Sequence, residues 1–182
     1  MNTKKKHSGI ALITSMIFLV AVMTIAALAM KDISLSEKSA GNLLEKQRSL
    51  HSAESALRYS EWWLSLNNHG IFKTCDDIVN GNDVSSMRVC KNSLQHIDNI
   101  PWETYATYKP QEMSITSTGG LRENGDINYS APPNLHIKIE AENRRGKFFH
   151  ITTAGFGGND TTRSIIESTF FFSVNSVNLG EL

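Results

Sequence analysis

The sequence predicts an α+β fold in which one long N-terminal helix, membrane-spanning in its first half and amphipathic in its second, packs on an antiparallel sheet of about four strands. Three observations predict it. Ile10 to Met30 is a run of 21 residues without a charge. Apolar residues then recur at helical spacing, with no proline before Pro101. From Met113 onward the pattern changes to alternation, the period of a strand.

As a helix rising about 1.5 Å per residue, the uncharged run is about 31 Å long, the thickness of a bilayer's hydrocarbon core. Its polar residues are Thr14, Ser15 and Thr24, whose hydroxyls can bond back to their own helix. Lys4, Lys5 and Lys6 hold the N-terminal flank in the cytoplasm, so the rest of the chain starts beyond the membrane. Three kinds of N-terminus fit these facts. A secretory signal peptide would be cut near Ala27-Leu28-Ala29, although the apolar run is longer than the usual h-region. A plain anchor would stay uncut. A prepilin leader would be cut after Gly9 on the cytoplasmic side, leaving the apolar helix on the mature chain. The continuation has to decide between them.

After Lys31-Asp32 the helix becomes amphipathic. Leu43, Leu50, Leu57 and Leu64 fall seven apart, with Ala40, Gln47, Ala53 and Ser60 or Ala56 between them. This stripe is expected to dock the globular part, since leucine interleaved with alanine suits packing on a sheet at least as well as a coiled coil. Glu37, Lys38, Glu45, Lys46, Arg48, Arg58 and Glu61 form the solvated face. One helix is expected from Ile10 to about Leu66, roughly 85 Å. Gly41-Asn42 is its weak point: either a tolerated pair or a built-in place to bend.

Charge and cysteine content bound the rest. Eighteen Lys+Arg balance 18 Asp+Glu over 182 residues, but residues 1–9 hold three lysines and no acid, so the body beyond them carries a formal charge of −3. A mildly acidic body gives no reason to expect nucleic acid as a partner. Cys75 and Cys90 fall on the exported, oxidising side, which favours a disulfide over two free thiols. A loop of that size stabilises a fold by roughly 3 kcal/mol in the chain-entropy model.

On the prepilin reading the chain divides into a leader (1–9), the long helix (10–66, in the membrane over 10–30) and a globular domain (67–182), loop-rich over 67–112 and a sheet over 113–175. Turn signals recur at Asn67-Asn68-His69-Gly70, Asn80-Gly81-Asn82-Asp83 and Asp98-Asn99-Ile100-Pro101. Met113-Ile115-Ser117 reads as a first strand and Leu135 to Glu140 as a second, with His136, Lys138 and Glu140 on its polar face. Asn143-Arg144-Arg145-Gly146 reads as a hairpin turn. Phe148–Thr153 returns, and Ile165–Val174 closes the sheet. Phe170-Phe171-Phe172 there puts rings on both faces, so Phe171 needs a loop or a partner to cover it.

No active site is legible. Gly155-Phe156-Gly157-Gly158 is a lone glycine cluster, read as a turn rather than a phosphate cradle. His7, His51, His69, His96, His136 and His150 show no metal-pair spacing, and Asp76-Asp77 with Asn80-Gly81-Asn82-Asp83 does not fit an EF-hand. Arg144-Arg145-Gly146-Lys147 is a solvated basic turn. No cofactor or metal is expected, and no enzyme.

Two elements are more specific. Gly9-Ile10-Ala11-Leu12-Ile13, then Ser36-Glu37-Lys38-Ser39-Ala40-Gly41-Asn42, then His51-Ser52-Ala53-Glu54-Ser55-Ala56-Leu57-Arg58 resemble the N-terminal region of PilX-type minor type IV pilins, with their E-K-x-A-G-N and A-E-x-A-L-R elements. The resemblance is close over residues 9–60. It is loose at Ile151–Gly155 and Glu167–Phe170. It implies cleavage after Gly9 by a prepilin peptidase and N-methylation of Ile10. It implies a single-pass inner-membrane protein with its C-terminal domain in the periplasm, later at or near the pilus tip. The partners implied are other minor pilins, the major pilin, the inner-membrane assembly platform and, at the tip, an adhesin. One position departs from the common pattern: most pilins carry glutamate at the fifth mature position, and Thr14 stands there. The minor pseudopilin at the tip of type II secretion systems also lacks that acid, so such a pseudopilin is one alternative and an anchored periplasmic binding module another.

Overall fold

The computed structural model describes residues 8–66, 72–111, 113–115, 128–159 and 161–173. The leader residues 1–7, the expected turn at 67–70, Ser117 and Val174 lie outside them. Helix α1 (Ser8–Ser65) is followed by β1 (Ile78–Asn80), β2 (Tyr105–Thr107), β3 (Ser114–Ile115), β4 (Asn128–Tyr129), β5 (Asn134–Asn143), β6 (Gly146–Phe156) and β7 (Arg163–Ser173). The chain forms two compact units, 1–43 and 44–182. In the first, α1 runs without interruption through Gly41-Asn42, and its apolar side chains, such as Ile10 and Phe18, are exposed.

The second unit has the expected α+β layout, and among the described residues its main sheet has five strands in the order β1-β2-β5-β6-β7. β5, β6 and β7 are the expected antiparallel strands, longer than the alternation suggested. Their hairpin turns at Arg144-Arg145, where the Asn143 side-chain oxygen accepts from the Arg145 and Gly146 amides at 2.9 and 3.0 Å. The other sheet strands correct the sequence reading. The described part of the expected first strand, 113–115, is not in this sheet: Ser114–Ile115 pairs with β4 in a separate two-stranded ladder. The sheet is completed from within the segment read as loops, by β2 antiparallel to β5 and β1 parallel to β2. Three-residue strands are too short to show alternation, which is why the sequence hides them.

The core lies between α1 and the sheet. It gathers Ala56, Trp63 and Leu64 with Met87, Val89, Ala106, Leu135, Ile137, Phe149 and Ile151. Phe170 and Phe172 pack against it. Phe171 points the other way and is 45% exposed, resting on Phe148 with ring centroids 4.6 Å apart.

Candidate functional site

The residues that bear on function fall in three places: the apolar stretch of α1, the face that joins α1 to the sheet, and the disulfide-stapled edge.

In the apolar stretch every hydroxyl is bonded within the helix. Thr14 Oγ1 donates toward the Ile10 and Ala11 carbonyls at 3.1 and 3.0 Å, Ser15 to Leu12 at 2.8 Å, and Thr24 to Ala21 at 2.8 Å. A helix so bonded hides its polar groups from lipid. It is long and apolar enough to cross a membrane. Thr14 contributes no charge there. Gly9 and Ile10 lie in its first turns.

The docking face is not the leucine heptad. Leu64 is fully buried and Leu57 partly, but Leu50 is 41% exposed and Leu43 70%. A straight helix turns back about 20° per heptad, so residues seven apart walk off a face they start on. The buried row is Ser49, Ser52, Ala53, Ala56, Ser60 and Trp63, which is smaller in side-chain volume at its N-terminal end. The sheet presents glycine to it: a Cβ on Gly155 would stand 2.2 Å from Ala53 N and 2.2 Å from Ser49 O. Helix and strand backbones therefore touch, as only glycine permits. Ser49 and Ser164 share a 2.6 Å hydrogen bond beside that contact.

Just below it the glycine cluster works as a latch rather than a free turn. Gly157 and Gly158 are buried, and the Gly158 amide donates to Glu45 Oε2 at 2.6 Å. Glu45 also pairs with Arg48, and Lys46 Nζ donates to the Arg163 carbonyl at 2.7 Å. Glu45 and Lys46, read from sequence as a solvated face, are thus docking residues. Trp63, whose indole donates to the Val84 carbonyl at 3.1 Å, was also not legible as a core residue. The signal that could have found the face was the i, i+4, i+7, i+11 spacing of Ser49, Ala53, Ala56 and Ser60.

Cys75 and Cys90 form the disulfide. It brings Cys90 to the sheet edge, where the Cys90 amide donates to the Ile137 carbonyl at 2.8 Å and its carbonyl accepts from Ile139 at 3.0 Å. The nearby acids are engaged: Asp77 is held by the Arg88 guanidinium, which keeps its carboxyl below the usual range, and Asp83 receives the Ser85 amide and hydroxyl. No set of three or more His, Cys, Asp or Glu side chains fit to hold a metal occurs among the described residues.

An apolar helix that continues into the docking helix of an α+β head is the layout of a pilin. Residues 8–58 match the family model described as PilX N-terminal, which supports a PilX-type type IV pilin. That match supports a minor pilin of the type IV pilus, a structural class, associated with other pilus components and anchored through its apolar helix. Neither the curated proteins nor the solved structures gave a match to this chain.

Proposed function

We propose that this minor pilin primes type IV pilus assembly, in a complex with other minor pilins at or near the filament tip. The observation that carries the reading is Thr14 in an otherwise pilin-like apolar helix. In a filament core, the charged N-terminal amine of each subunit needs an acidic neighbour, because a lone buried ammonium is expensive. A hydroxyl that is bonded to its own helix and carries no charge does not meet that need. Such a subunit is a poor repeating unit and a good end unit.

The steps before assembly follow the same residues. Prepilin peptidase cuts after Gly9, Ile10 becomes the methylated N-terminus, and the helix over 10–30 waits in the inner membrane with the domain 67–182 in the periplasm. Extraction exchanges lipid for other apolar helices, so the hydrophobic term is nearly balanced and packing decides. The assembly platform supplies the work of extraction. Immunogold labelling tests the position: gold confined to filament ends supports the reading, and gold spread evenly along the shaft sinks it. The missing acid suits a secretion pseudopilin as well, whereas the E-K-x-A-G-N element favours the pilus. Pull-down of secretion components in place of pilus components would move the chain to that machine.

A further inference from the structure

The sheet face opposite α1 holds a cavity. Alternation along β5 sends Leu135 and Ile137 to the core and His136 and Lys138 to the other side. The register sets His136 opposite Thr152, Lys138 opposite His150, and His150 opposite Thr169. Ser93, Leu94 and Ile97 form a second wall, and the space between is about 430 Å³, within the range of small-ligand sites.

Two features of this cavity are not explained by stability. His136 and Thr152 are only 3% and 2% exposed, and His136 Nε2 has no hydrogen-bond partner among the described residues. Apolar side chains under a wall bearing Leu94 and Ile97 would hold the fold better, because a buried polar atom without a partner costs free energy. Local rules broken in this way mark functional places. Second, Lys138 on this face already pairs with Glu140 at 3.0 Å, and His150 Nε2 lies 3.2 Å from Glu167 Oε1. A free anion would meet Glu140 and a free cation would meet Lys138. What remains is a mixed field of donors and acceptors with little net charge, and two aliphatic side chains.

We propose that this cavity binds a neutral saccharide, whose adjacent hydroxyls each donate and accept, and whose ring C–H groups pack on Leu94 and Ile97. The inference stands apart from the assembly reading. Its test is an NMR titration of the full-length protein in detergent micelles, following the His150 ring, with methyl glucoside, galactose and N-acetylglucosamine as probes and inorganic phosphate and triglycine as controls. At least one sugar should shift the ring signals saturably, and Thr169→Val, on the exposed strand, should weaken that binding by about tenfold with the unfolding midpoint unchanged. Lys138→Met is a second variant with the same expected direction. No shift with any of the sugars, a response to phosphate or triglycine alone, or sugar binding untouched by both variants would overturn the proposal.

Discussion

Gly155 and Gly41 are the same residue type in opposite settings. At Gly155 an added methyl meets the backbone of Ser49 and Ala53, while at Gly41 nothing among the described residues lies within 4 Å. Gly155→Ala should therefore lower stability by about 2–3 kcal/mol through overpacking, and Gly41→Ala should raise helix stability by up to about 1 kcal/mol. Thermal unfolding of the two variants side by side checks both signs. His136 gives the pH dependence. Burial, with His150, Lys138 and Arg88 nearby, lowers its pKa from 6.5 to about 4. Between those values the unfolded chain binds the proton and the folded one does not. The contribution is thus fully present above pH 6.5 and is lost as pH falls through about 4, amounting to about 3 kcal/mol. Denaturant midpoints measured across that window should fall with acid, and His136→Leu should flatten the slope.

Among the elements, the disulfide and the docking helix do different work. The Cys75–Cys90 bridge fixes a strand-like pairing at the edge of β5 in a segment with little regular structure. Replacing both cysteines by serine should cost about 3 kcal/mol and should speed amide exchange first at Cys90 (now Ser) and Ile139. Equal exchange before and after would mean that the edge holds itself. What was legible at this scale followed from period. β5, β6, their Asn143–Gly146 turn and β7 were readable in their central parts, because Leu135–Glu140 alternates and Asn143–Gly146 carries turn chemistry between apolar segments. β1 and β2 were not, since three residues carry no period and their place depends on long-range pairing. The docking face follows the leucine heptad at Leu57 and Leu64 and leaves it at Leu50 and Leu43. The helix approaches the sheet through serine and alanine opposite Gly155, and that complementarity exists only when both partners are seen together.

For the whole molecule, the likeness to a pilin was legible almost entirely in the first sixty residues, where the matched segment 8–58 lies. The head is where prediction from sequence was weakest, because its cavity is assembled from three strands and a distant loop. On the proposed reading, Thr14 sets the place of the subunit in a filament. Thr14→Glu should turn an end unit into one that can enter the shaft, so labelling should spread from the ends along the filament. Labelling still confined to the ends would remove the role given to that position. All of this presupposes prepilin processing, which mass spectrometry of the mature membrane form tests most directly. The account predicts a chain that begins at methylated Ile10. A chain that begins at Met1 or at Met30 would contradict it.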